Sequence, residues 1–176
     1  MLCKYCSICE NCGKNIKPLQ NVMVSKHLIN LTGDCMPKDW KSNGWKIEKH
    51  VGDGTLELDP SRLQLHFSPN QIDGKCIEGN ELREELEKNK VPVLNACVLD
   101  YLLLHPELIP EDWKKDENGN TRYIYFWGTV YRYASGYLYV RYLCWDDGVW
   151  DWDCNFLDGG WLVQDPAAML ASVPQP

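Results

Sequence analysis

The spacing of hydrophobic positions changes along this chain, and each spacing predicts a different element. Over residues 62–67 the apolar positions recur every second residue, with Leu63, Leu65 and Phe67 set against Arg62, Gln64 and His66. A period of two marks a half-buried strand, ended here by Ser68-Pro69-Asn70. Trp45–Val51 also reads as a strand. Gly52-Asp53-Gly54 then forms a tight turn, and Thr55–Leu58 returns from it as a hairpin. Ahead of these, residues 15–43 read mostly as loop, with a short strand at Val22–Val24.

From Asn80 to Asn89 the spacing becomes helical. Leu82 and Leu86 form the apolar stripe, Asn80 is placed to cap the first turn, and Arg83–Glu87 and Glu84–Lys88 stand four apart on the wet face. A second helix is expected from Ala96 to about Leu104, capped by Asn95. Val98, Leu99, Leu102 and Leu103 make it the main packing helix, and Pro106 stops it. Pro110–Trp113 suits one more helical turn. Asp165-Pro166 reads as a helix start, with a short terminal helix over Ala167–Ala171.

Between these helical stretches lies the aromatic half of the chain. Tyr123–Tyr133, Tyr137–Trp145 and Val149–Leu157 are rich in aromatic and β-branched residues. Ala134-Ser135-Gly136 and Asp146-Asp147-Gly148 separate them. Such runs with glycine turns between them predict an antiparallel meander. In the first run, Tyr123, Tyr125, Trp127, Tyr131 and Tyr133 are expected on one face, with Ile124, Phe126 and Val130 on the other. In the third, Trp150, Trp152, Cys154 and Phe156 should face the core, and Asp151, Asp153 and Asn155 the solvent. Strands and helices come in separate runs, so the expected fold class is α+β. The expected organisation is a Cys-rich segment over residues 1–40 and a single α+β domain over 41–176, with the aromatic sheet at 121–176.

The charge narrows the list of partners. The chain has 176 residues and a net charge of −7, from 18 basic and 25 acidic side chains. A strongly acidic chain is a poor match for nucleic acid, whose phosphates need a basic patch. Its longest apolar run, interrupted by Asn95 and Asp100, is too short and too polar to span a bilayer. With no apolar leader at the start, the nine cysteines point to a reducing compartment, and the expected location is cytoplasmic.

Four of those cysteines, Cys3, Cys6, Cys9 and Cys12, recur every third residue. Thiolates in C-x-x-C spacing can hold one soft cation, and Cys12-Gly13-Lys14 resembles a zinc knuckle. A structural zinc site is the expectation. An iron–sulfur run differs in its final spacing. Cys9 and Cys12 together with His27 or Cys35 form an alternative chelate, and a Cys-rich tail without metal is the plain reading.

Catalytic signatures are absent around His27, His50, His66 and His105, and no phosphate-binding glycine loop occurs. The acidic group is more suggestive. Asp146, Asp147, Asp151, Asp153, Asn155 and Asp158 fall within thirteen residues. Aspartate is depleted in strands, so two on one strand face with an Asn between strand ends suggest use as a ligand-binding surface. Oxygen donors from alternate positions suit Ca²⁺ less well than the cysteines suit Zn²⁺. A carboxylate-dependent hydrolase is a rival reading. A solvated strand face with turn aspartates explains the same residues without any function.

Tyr123–Val163 contains no Lys, Glu, Gln or Met, although Lys and Glu are among the commonest residues. Randomising the adenines of an AAC or AAT codon reaches Asn, Asp, Tyr, Ser, Gly and Cys but not Lys, Glu, Gln, Met or Trp. Every residue between Trp145, Trp150, Trp152 and Trp161 is reachable. The stretch therefore resembles the variable region of proteins diversified by adenine-directed retroelements, many of which have a C-type-lectin-like fold and bind ligands. Residues 40–173, through the helical pair, YFWGTVYR, YVRYLCWDDG and PAAMLAS, also resemble an uncharacterised family of hypothetical bacterial proteins. The resemblance implies a non-enzymatic module that displays changeable polar and aromatic residues to a protein or other ligand. A small zinc-stabilised adaptor is the further alternative.

Overall fold

The computed structural model describes residues 26–172. Cys3, Cys6, Cys9, Cys12 and the strand expected at Val22–Val24 lie outside the described residues. The chain runs through β1 (His27–Asn30), α1 (Lys38–Lys41), β2 (Lys46–His50), β3 (Thr55–Leu58), β4 (Leu63–His66) and β5 (Ile77–Glu78). It continues through α2 (Gly79–Lys88), α3 (Ala96–Leu104), β6 (Tyr123–Tyr125), β7 (Thr129–Arg132), β8 (Leu138–Asp146), β9 (Val149–Phe156), β10 (Gly160–Trp161) and β11 (Ala167–Leu170). Short 3₁₀ turns occupy Pro60–Arg62, Pro106–Leu108 and Glu111–Trp113. The fold is α+β, mostly strands with few short helices, built on a curled, aromatic-rich mixed sheet.

That sheet is organised around β8. One edge of β8 pairs with β9 along its length, from Tyr139–Phe156 to Asp146–Val149. Its other edge is shared by β7, at Tyr131 and Arg132, and by β6, from Tyr123 to Tyr125. β2 extends the sheet beyond β7, and β11 followed by β4 extends it beyond β6. The β8–β9 turn places Asp147 at φ 44° and Gly148 at φ 84°. Two left-handed central residues match the right-handed twist of the flanking strands, which explains the Asp-Gly pair.

β6 and β7 form one interrupted strand. Tyr125 pairs with Tyr142 and Tyr131 with Tyr139, a step of six residues on one side against three on the other. The surplus residues loop out at Phe126–Thr129, where the Gly128 amide donates to the Leu94 carbonyl at 2.9 Å and the Gly128 carbonyl accepts from Val51 at 2.7 Å. An odd surplus exchanges the two faces. Tyr131 therefore joins Ile124 and Phe126 in one core cluster, while Val130 joins Tyr125 and Trp127 in the other. This corrects the expected face assignment of Tyr131 and Val130.

The sheet is covered on both sides. α3, with Val98, Leu99 and Leu102, packs in the first cluster, together with Ile29, Cys35 and Trp113. α2, with Leu82 and Leu86, packs in the second, with Ile77, Leu157 and Trp161. The Asn95 cap is as expected, its Oδ1 accepting from the amides of Cys97 and Val98 at 3.1 and 3.4 Å.

Several expected elements differ. Thr55–Leu58 does not form a hairpin with 46–50: β3 pairs with β1 and β2 with β7. Gly52 and Gly54 take φ of 120° and 64°, and the chain is diverted because Leu31 bonds the Gly54 carbonyl while Val51 bonds Gly128. The region expected as loop contains β1 and α1. Asn80 does not cap α2, which begins after Glu78; its amide group bonds Glu78 and Asp158 instead. Ala167–Ala171 is no helix. Residues 167–170 form β11, antiparallel to β4 and parallel to β6. Helix propensity in Ala-Ala-Met-Leu yields to backbone pairing on both sides, with Ala167 and Ala168 buried.

Candidate functional site

Two places bring chemically active side chains together. The first is the outer face of β8 and β9. Strand alternation puts Asp151 and Asp153 there, exposed, while Trp150 and Trp152 turn half-buried toward the α3 side. Asp146, Asp151 and Asp153 surround a trough of about 320 Å³ whose floor includes Tyr123, Tyr142 and Cys144. Burial raises the Cys144 thiol above its ordinary range, and the negative charges of Asp151, Asp146 and Asp153 add to it. The remaining expected residues do not line the trough. Asp147 forms the hairpin turn, Asn155 is half-buried, and Asp158 accepts from Asn80 at 3.0 Å near the start of α2. Phe156, expected on the buried face, is 43% exposed at the strand's end.

The Asx side chains on β9 also have a backbone role. β9 pairs only with β8, so its far side is a free edge. The Leu157 amide donates inward to Leu138, so alternate amides, those of Trp152, Cys154 and Phe156, point to that edge. Asp151 Oδ1 accepts from Trp152 at 2.8 Å, Asp153 Oδ1 from Cys154 at 2.7 Å, and Asn155 Oδ1 from Phe156 at 3.0 Å. Each Asx thus satisfies the outward amide of the next residue. A bare edge is a template for pairing with another chain, and these side chains cover it.

The second place is buried. Cys35 from the loop after β1, His50 from the end of β2 and Cys97 from the first turn of α3 have their donor atoms within 4.8 Å of one another. This group could hold a metal, and it is the only such group of three among the described residues. The Asp cluster forms no comparable group. Cys35 is 1% exposed and Cys97 8%.

The surroundings hold these donors firmly. The Cys35 carbonyl accepts from Tyr131 Oη at 2.8 Å and from Arg141 Nη1 at 3.3 Å. His50 Nε2 lies 2.6 Å from the Leu31 carbonyl, and its Nδ1 is 2.9 Å from Thr129 Oγ1 and 3.8 Å from Cys35 Sγ. Asn95 Nδ2 bonds the Leu31 and Val51 carbonyls at 3.2 and 2.9 Å. The hydrogen bond from Cys97 holds the Cys35 thiol below its ordinary range, opposed by burial. The same contact, with burial and the charges of Cys35 and Asp100, drives Cys97 up.

Sequence spacing could not reveal this group. Cys35, His50 and Cys97 are far apart in the chain and carry no shared motif. The alternative chelate of Cys9 and Cys12 with His27 or Cys35 depends on two cysteines outside the described residues; of its described members, Cys35 meets His50 and Cys97, and His27 Nδ1 sits 3.1 Å from Tyr101 Oη. No family model, no curated protein and no solved structure matches this chain.

Proposed function

We propose that the protein is a non-enzymatic recognition module, and that the outer face of β8 and β9 docks a partner protein presenting Lys or Arg side chains. The carrying observation is that Asp146, Asp151 and Asp153 stand exposed around a tyrosine-floored trough. Among the described residues no cation pairs with any of the three. Neighbouring carboxylates repel, and a basic partner relieves that repulsion as it binds. Tyr123 and Tyr142 offer broad contact area at small entropic cost. A hydrolase would instead need two carboxyls held at a fixed separation across a cleft, whereas Asp151 and Asp153 are exposed and turned toward edge amides.

The test is binding to an array of Lys- and Arg-containing peptides, comparing the parent with D146N/D151N/D153N. Binding that weakens with salt and is lost in the triple variant supports the reading. Equal binding by both chains defeats it. Retroelement-type variation of this face has its own test in the coding DNA, where AAC- or AAT-derived codons should cluster between Trp145 and Trp161 with a near-identical template repeat nearby.

The zinc-stabilised adaptor draws on the C-x-x-C spacing of Cys3, Cys6, Cys9 and Cys12. Those thiols should resist alkylation when zinc is present and react freely after chelation, with the aromatic sheet still folded. Free alkylation before chelation rejects that site.

A further inference from the structure

We propose that Cys35 Sγ, Cys97 Sγ and His50 Nδ1 bind one zinc ion, leaving a fourth coordination position open toward the hollow beside Cys97. The proposal uses neither the acidic face nor Cys3–Cys12, and it rests on neither reading.

The donor geometry fits. In a tetrahedral site with Zn–S of about 2.3 Å and Zn–N of about 2.0 Å, a sulfur and a nitrogen stand about 3.5 Å apart. Cys35 Sγ and His50 Nδ1 are 3.8 Å apart, so the ion needs them to close by only about 0.3 Å, by the same bond lengths. Two thiolates and an imidazole form a donor set that suits zinc better than calcium or magnesium, which take oxygen.

The second layer also fits. A carbonyl can only accept, so the 2.6 Å contact with Leu31 puts the imidazole proton on Nε2. Nδ1 then carries the lone pair and faces Cys35 Sγ. A histidine N–H held by a backbone carbonyl is the usual support of a metal-bound imidazole. The Thr129 hydroxyl, fixed by the Ala96 amide at 3.0 Å, now contacts Nδ1 and would turn to the Cys35 sulfur beside it once the ion takes the lone pair. Cys97 lies in the first turn of α3, where the helix dipole offsets part of the burial and charge that raise its thiol. Binding displaces the remaining thiol protons to solvent.

There is also a route in. Cys97 lines an open hollow of about 240 Å³ together with Asn30, Gly33, Asp34, Asp100 and Tyr101. A three-ligand zinc site takes a water or other small ligand in its fourth position, and this hollow is where that ligand enters. Because the ligands come from three separate segments, the ion would tie the β1 loop, the end of β2 and the start of α3 to one another.

The experiment uses the full chain with Cys3, Cys6, Cys9 and Cys12 changed to Ser, kept reduced. Titration with Co²⁺ should give one equivalent bound, with tetrahedral d–d bands and a charge-transfer band for two thiolates. Zn²⁺ should displace the cobalt and raise Tm. Cys97→Ser, at the hollow, should halve the charge-transfer intensity. His50→Asn should weaken binding at least a hundredfold. Far-UV circular dichroism checks that each variant is folded, and the Tm response of the four-serine chain decides the matter if either variant is not. No cobalt binding by the four-serine chain, no rise in Tm with zinc, or binding unaltered in folded Cys97→Ser and His50→Asn overturns the proposal.

Discussion

Arg141 is a charged residue only 2% exposed, in the middle of β8. Its Nη2 donates to Asp100 Oδ1 at 2.8 Å, its Nη1 to the Cys35 carbonyl at 3.3 Å, and its guanidinium lies 3.9 Å from the Trp152 ring centroid. Its Nε has no partner among the described residues. Asp100 is different, with a side chain 40% exposed. The asymmetry predicts which partner is dangerous to remove. Removing one member of a buried pair costs about 3–5 kcal/mol, because the other charge is left uncompensated. Water reaches Asp100, so the lower end applies, and Asp100→Ala should cost about 3 kcal/mol. Arg141→Met keeps an apolar stem against Trp152 and strands no buried charge, since Asp100 remains wet. It loses a cation–π contact and two hydrogen bonds, to Asp100 and to the Cys35 carbonyl, each worth about 1 kcal/mol, but removes the orphan Nε, which offsets part of that loss. Its cost should be about 1–2 kcal/mol by those terms. The double variant should cost less than the sum by more than about 1 kcal/mol. Urea unfolding of all four chains at pH 7, with m checked for constancy, measures this. If Arg141→Met is the costlier single change, or the two costs add, the guanidinium is held by stacking and carbonyl contact and not by the carboxylate.

Other changes test other parts of the argument. A Cβ on Gly128 would lie 2.8 Å from both N and Cα of Asn95, so Gly128→Ala should cost about 1–3 kcal/mol through forced displacement; a melt identical to the parent's would mean the excursion is not locked there. Replacing Asp151, Asp153 and Asn155 by Ala should shift stability by no more than about 0.5 kcal/mol, yet uncover three edge amides and increase self-association in sedimentation. Sedimentation indistinguishable from the parent's would show that the edge needs no cover. Burial holds His66 below the usual imidazole range, with Glu85 pulling it partly back. The unfolded chain therefore takes up that proton first, so stability is full above the ordinary imidazole value of 6.5 and declines as pH falls through the lower folded value. His66→Gln should flatten that decline in melts between pH 7 and 5, and a persisting slope would assign it to other groups.

The legible parts of this fold were those decided by neighbours in sequence. The period of two in β9 placed Trp150 and Trp152 inward and Asp151 and Asp153 outward. Asn95 capped α3, Leu82 and Leu86 faced the core, and the Arg83–Glu87 pair formed at 3.0 Å. The parts that were not legible depend on distant partners. Nothing local announces that Gly128 reaches the backbone of Leu94, yet that contact sets the excursion that exchanges the faces of Val130 and Tyr131. Ala167–Leu170 has helical composition and becomes a strand because β4 and β6 flank it. The edge role of Asp151, Asp153 and Asn155 requires knowing that β9 has only one neighbour. The Cys35–His50–Cys97 group is likewise assembled by three segments that share no spacing.

The position of β11 has a consequence for how the chain is made. β11 joins β4 to β6 and lies near the end of the described residues. During synthesis the β7–β8–β9 meander can form from consecutive residues, since its turns are local. Until Leu170 has left the ribosome, however, β4 has nothing to pair with in the large sheet, and β6 has an open side. The nascent domain must then hold a wet, two-piece sheet while most of its aromatic residues have already emerged. Folding should therefore close late, and a released chain truncated just before Ala167 should be cut readily by proteases.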